Sequence, residues 1–439
     1  MTESDRVPDA SVHQTRRVKQ HPQIPFDIWE EVFQQCLPLD AFIQPSAFTA
    51  ALLLCQINRA WRDRATSMPS LWCSLSVKIS RHGSIPHLDL IPTWLSRAGG
   101  HPLYISVTLD RRPGVHVYTT TDAALRSLIA FFPTWKEIHL NVGTFLNLPS
   151  LLRLPDALTP SFEYLHIYLP SYEEAAEQIA LIFERSPNLS HLSLSTELLE
   201  QDIPNLKVPF GSLTTLELPI SVFSPDNSWE ILEYCPKLRY LRIGDLRGEF
   251  VRARRGSPIL LQDLETLDLA SSCGSMSVFL DAFTAPSLRT LHLVFASPFP
   301  MHSFVSLLHR SKCPLKMLRL SVHMTDEEAI HCLKACPPTL TELILYGEFV
   351  TDVVLEKLTI GTPESLCPQL QVISLGGRLV GARALATMLE SRYLPRNSED
   401  THLRSTSIYA SPAQETDVIT RLQELRRLGL QIECSSFSL

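Results

Sequence analysis

A six-residue phrase, LxxLxL with apolar residues at its first, fourth and sixth positions, recurs ten times in this chain at a nearly constant interval. The phrases begin at Trp135, Phe162, Leu189, Leu213, Leu238, Leu264, Leu288, Leu315, Leu340 and Leu370. Successive starts lie 27, 27, 24, 25, 26, 24, 27, 25 and 30 residues apart. Self-similarity at such a period is the mark of a solenoid, in which each unit is one strand and one helix stacked on its neighbours. The expected fold class is therefore α/β, a curved solenoid with parallel strands on its concave side and helices on its convex side. Two earlier apolar phrases, Leu71 to Val77 and Leu103 to Leu109, are expected to form irregular opening strands.

The stretches between phrases support the same architecture. Tyr172 to Glu184, Asp326 to Ala335 and Asp352 to Leu358 have helical composition, and Thr325-Asp326 and Thr351-Asp352 stand where helix-start caps belong. One unit of this length buries too few leucines to offset the entropy of ordering its backbone, so the array must be continuous. Leu216, Leu241, Leu267 and Leu291 should then line up side by side in one parallel ladder. The polar stretch from Ser391 to Ser405 is expected to be mobile, and a helix near Asp417 to Leu428 to cap the end of the array.

Ahead of the repeats the pattern changes. Pro25 suits the first turn of a short amphipathic helix in which Ile28, Val32 and Phe33 recur at helical spacing. A second helical stretch is expected from Ala47 to Ala65, closed by Pro69-Ser70-Leu71-Trp72. About fifty residues cannot bury all these large side chains among themselves, so part of that surface should await a partner.

Ile24-Pro25, Val32-Phe33, Ile57-Asn58-Arg59-Ala60-Trp61-Arg62 and Pro69-Ser70-Leu71-Trp72 together resemble an F-box, over residues 22 to 75. The repeat pattern, with Cys-Pro-x-Leu or Ser-Pro-x-Leu before a strand and Thr-Asp before a helix, is similar to that of F-box proteins of the leucine-rich-repeat type. This resemblance implies docking of a Skp-family adaptor, and through it a cullin and a RING subunit of a ubiquitin ligase. It places Ile24, Pro25, Ile28, Val32, Phe33 and Leu52 against the adaptor, with Trp61 and Trp72 knitting the helices together. Family members often open with Leu-Pro and read Val-Cys-Arg where this chain has Ile24-Pro25 and Ile57-Asn58-Arg59. The domain expectation is a disordered tail over 1–21, the F-box-like module over 22–75 and the solenoid with its cap over 76–439. The alternative is a module that only caps the open end of the repeats in a non-degradative scaffold.

Composition narrows the function classes. A formal charge of -7 and a pI near 6.1 give no general attraction to nucleic acid or acidic membranes. The longest apolar run, from Ala47 to Cys55, is too short to span a bilayer, and no secretory leader is recognisable, so a cytoplasmic or nuclear protein is expected. Ten cysteines without a CxxC pair suggest reduced thiols. Cys332 and Cys336 with His331 beside them could open a metal site, but no second ligand pair is visible, and no cofactor is expected. No GxSxG, HExxH or GxxxxGK[ST] motif supports an enzyme. The glycines Gly376, Gly377 and Gly381 lack dinucleotide-binding spacing and suggest a turn.

Alternation along each strand turns the residues flanking the fourth phrase position outward. Tyr164, His166, Tyr168, His191, Tyr240 and Arg242 are the expected heart of a face that binds a target protein, because exposed Tyr and Arg most often carry binding energy. The same alternation exposes Glu137, His139, Glu217, Asp268, His292 and Arg319. A second candidate is the loop bearing Arg247, Arg252, Arg254 and Arg255, which would suit a phosphorylated or acidic motif, although such a run is more often a solvated loop.

Overall fold

The computed structural model describes residues 25–109, 115–141, 153–156, 161–168, 176–195, 207–219, 231–244, 256–271, 276–361, 364–377, 381–393, 402–409 and 416–434. Three short helices lead the chain: α1 (Phe26–Gln35), α2 (Leu52–Ile57) and α3 (Arg59–Thr66). The single helix expected over 47–65 is thus two. Asn58 takes an extended conformation between them, and its side-chain oxygen accepts from the Trp61 N–H at 2.9 Å, starting a new helix.

Strands then follow in chain order. The first are β1 (Ser74–Ser80), β2 (Gly83–Ile85), β3 (Leu103–Leu109), β4 (Trp135–Asn141), β5 (Tyr164–Tyr168) and β6 (His191–Ser195). Next come β7 (Thr215–Leu218), β8 (Tyr240–Ile243), β9 (Ile259–Leu260), β10 (Thr266–Ser271), β11 (Phe283–Thr284) and β12 (Thr290–Pro298). The last are β13 (Met317–His323), β14 (Glu342–Tyr346), β15 (Val372–Gly376), β16 (Ser405–Ile408) and β17 (Gln431–Cys434). Fifteen of them form one sheet in the order β17-β16-β15-β14-β13-β12-β10-β8-β7-β6-β5-β4-β3-β1-β2, and β9 and β11 pair separately. Every pairing in the large sheet is parallel except β1 with β2. The fold is a solenoid-like mixture of helices and a large, mainly parallel sheet.

The leucine ladder is present as expected. Leu216 sits opposite Leu241, Leu241 opposite Leu267, and Leu267 opposite Leu291, all of them buried. Helices connecting the strands, among them Ala176–Glu184, Met301–Ser311, Asp326–Ala335 and Asp352–Leu358, cover this face with their own apolar side chains. The other face of the sheet is open.

Two local devices set the register. In Ser186-Pro-Asn-Leu189, Cys235-Pro-Lys-Leu238 and Ala285-Pro-Ser-Leu288 the first carbonyl accepts from the leucine N–H at 3.2 to 3.3 Å, closing a turn. Proline suits the second position of such a turn, and the first residue is fully buried, so only a small side chain fits there. After each turn, one carbonyl of the previous unit accepts from two successive N–H groups of the next. Glu163 takes Ser190 and His191, and Thr214 takes Arg239 and Tyr240. Likewise Lys316 takes Thr341 and Glu342.

Several expectations change. The array continues two strands beyond the last phrase, because β16 and β17 put Thr406 and Cys434 where leucine is usual. The helix Thr416–Arg427 is accordingly followed by a strand and does not close the array. Within the stretch expected to be mobile, Ser391, Arg392 and Tyr393 end a helix and Leu403 is buried. Thr325 forms a full capping box with Glu328, whereas the Thr351 hydroxyl makes no cap and donates to Asp326 of the preceding unit at 2.9 Å. Among the described residues no helix is long and apolar enough to cross a membrane.

Candidate interaction surfaces

The helical end is built round three rings. Trp29, Phe33 and Trp61 lie with centroids 5.1 to 5.5 Å apart, and the Arg64 guanidinium covers Trp29 at 4.4 Å. Behind them Trp72 stacks edge-on to Trp94 at 4.7 Å and donates from its indole to the Ala65 carbonyl, while the Trp94 indole donates to the Ser74 carbonyl. These contacts weld the helices to β1.

Of the residues expected to face an adaptor, Ile24 lies outside the described residues and Pro25 is exposed ahead of α1. Ile28 and Val32, one helical turn apart, are 53% and 44% exposed, whereas Phe33 is wholly buried and Leu52 half-buried. Phe33 therefore belongs to the internal cluster and not to the outer surface, since its neighbour Val32 already occupies the outward side of α1. On α2, Leu53 and Ile57 are exposed at the same helical spacing, and Phe48 just before it is 87% exposed. Neither Phe48 nor Leu53 is among the residues that the resemblance places against the adaptor.

On the open face, parallel register turns the expected residues into rows. Tyr164 stands opposite Glu137 and His191, His166 opposite His139 and Ser193, and Tyr168 opposite Asn141 and Ser195. The rings then stack. His139 lies 5.1 Å from Tyr164 with planes 8° apart and 5.2 Å from His166, and Tyr164 lies 5.6 Å from His191. The Phe42 ring joins at 4.6 Å from His139. That ring is brought in by the segment between α1 and α2. Ile43 donates to the Ser74 hydroxyl and accepts from the Ser76 N–H at 2.7 Å, which pins the segment along β1. Ser76, Ser106 and His139 share one row, and both serines are buried, which suits a ring lying across them. Sequence offered no sign of Phe42, because its partner is nearly a hundred positions away.

Burial pushes the His139 and His166 imidazoles below their ordinary value, so both are neutral at physiological pH, the Glu137 carboxylate 3.0 Å from His139 only partly opposing this. His166 is held by the Ser193 hydroxyl at 2.8 Å. Ser193 is itself buried within the row, so this contact positions the ring. Burial and then the Glu217 carboxylate raise the phenols of both Tyr164 and Tyr240. Tyr240 and Arg242 lie farther along the sheet, with Arg242 3.6 Å from Asp268, so the six expected residues share one face but only the first four are close together.

Toward the other end, Tyr346 bonds through its hydroxyl to Ser374 at 2.9 Å and meets Tyr409 edge-on at 5.5 Å. Gly376 is required beside it, since an added Cβ would come 2.3 Å from the Tyr346 ring. Gly381 instead donates its N–H to Asp352 at 2.6 Å. The loop with Arg247, Arg252, Arg254 and Arg255 lies outside the described residues. Cys332 and Cys336 form no candidate metal cluster among the described residues, and burial pushes the Cys332 thiol up to about 12.

No family model and no curated protein matches this sequence. Among solved structures, the Toll–Spatzle complex of Drosophila is similar, at 15% identity and a TM-score of 0.33, over 79% of this chain and 48% of that one.

Proposed function

We propose that the chain is the substrate-recognition adaptor of a cullin-RING ubiquitin ligase, whose N-terminal helices dock a Skp-family adaptor while the open sheet face takes a target protein. The supporting observation is the placement of apolar side chains on the helical end. Ile28 and Val32, one turn apart on α1, and Leu53 and Ile57, one turn apart on α2, stay about half exposed, although their neighbours Phe33 and Leu54 are buried. Exposed apolar pairs of this kind on a small helical module suit a partner surface. The F-box resemblance of residues 22–75 supplies the class of partner.

Co-purification with a Skp-family adaptor tests the docking half. The double variant Ile28→Asp, Val32→Asp should lose the adaptor with an unchanged circular-dichroism spectrum, since both side chains are exposed. Equal recovery would remove adaptor docking. The target half is tested by proximity labelling in cells with and without proteasome inhibition, where captured proteins should accumulate under inhibition.

A second reading has its own support. Residues 41–43 bond along β1 and the Phe42 ring covers the start of the open face, as expected of helices that only cap the array in a non-degradative scaffold. Unchanged adaptor recovery together with no accumulating protein would select it.

A further inference from the structure

A row of polar side chains through the middle of the open face carries charges of both signs. Glu217 stands opposite Arg242, Arg242 opposite Asp268, Asp268 opposite His292 and His292 opposite Arg319. The inner members satisfy one another, with Arg242 3.6 Å and His292 3.9 Å from the same Asp268 carboxylate. The ends differ. Among the described residues the Glu217 carboxylate makes no ion pair or hydrogen bond, and neither does the Arg319 guanidinium, whose Nε is enclosed and unpartnered.

Aromatic rings frame each end. Tyr240, on the strand next to that of Glu217, stands opposite Thr215, two positions away on the same face, and its phenol is raised in part by the Glu217 carboxylate. Arg319 lies 5.6 Å from the ring of Tyr346, which Ser374 holds in place. A carboxylate beside a phenol ring favours an ammonium or guanidinium group, and a guanidinium on a fixed ring favours a carboxylate with which it can share two hydrogen bonds.

We propose that the open face binds an extended segment of a partner protein that sets a basic side chain on Glu217 and an acidic side chain on Arg319. The spacing follows from the sheet. Four strand steps of ~4.8 Å separate the two ends, about 19 Å, which an extended chain covers in about six residues at ~3.3 Å each. A segment with its charges reversed meets like charge at both ends and is rejected. This specificity rests on the proposed protein-binding role of the face.

A phage-displayed library of random 12-residue peptides, panned on the full chain, tests it. Enriched peptides should carry Lys or Arg about six residues from Asp or Glu. A synthetic consensus peptide should bind about tenfold more weakly to Glu217→Gln and to Arg319→Gln, and its charge-swapped version should bind the double variant Glu217→Lys, Arg319→Glu. Binding that is lost in Tyr164→Ala, Tyr240→Ala yet ignores the charge variants would overturn the charge pairing and keep the face. Binding indifferent to all of these substitutions, or no enrichment, would overturn both.

Discussion

Inside the C-terminal half, the Arg392 guanidinium donates to the carbonyls of Leu358, Leu366 and Cys367 at 2.6, 2.7 and 2.9 Å. Burial lowers its pKa to about 10, which leaves it cationic at neutral pH. Arg392→Met keeps the volume and strands three enclosed carbonyls, so it should cost about 3 to 5 kcal/mol in urea unfolding, and a loss under about 1 kcal/mol would contradict this role. His139 and His166 act through pH. Their folded-state values lie below the usual 6.5, so the unfolded chain takes up protons first as pH falls. Their contribution is therefore complete above about pH 6.5 and lost below it. The melting temperature should decline from pH 7 to 5, and His166→Gln should flatten that decline. At this scale sequence spacing nominated Val32 and Phe33 alike. Packing against Trp29 and Trp61 drew Phe33 inside, a choice that depends on residues almost thirty positions apart.

Helices and strands were more legible. The bounds of Asp326–Ala335 and Asp352–Leu358 coincide with those expected, because threonine, acid and apolar period agree there. The two starts nevertheless differ. Thr325 holds its own helix through the capping box, so Thr325→Ala should cost about 1 kcal/mol by thermal unfolding. Thr351→Ala should instead loosen the contact with Asp326, which faster amide exchange at the start of Asp326–Ala335 would register. The Pro-x-Leu recurrence marked repeat boundaries without revealing its cause, which is a closed turn over a buried Ser186, Cys235 or Ala285. Strands β16 and β17 escaped notice because Thr406 and Cys434 break the apolar signal, although their neighbours still supply the ladder.

For the molecule as a whole, stability depends on uninterrupted stacking of units that cannot fold alone. Leu267→Asp puts a charge in the middle of the ladder and should lower the melting temperature by several degrees, while Thr266→Asp on the open face should leave the transition nearly unchanged. Equal effects of the two would remove the inside-outside assignment of the strands. The period, the parallel ladder and the face that each strand residue takes are legible in the amino-acid pattern, because they follow from short-range alternation repeated at a constant interval. Packing between units brings Phe42 to His139, lets Asp268 satisfy Arg242 and His292, and leaves Glu217 and Arg319 unpaired among the described residues. Those outcomes depend on register and side-chain reach between separate units, which no local pattern encodes.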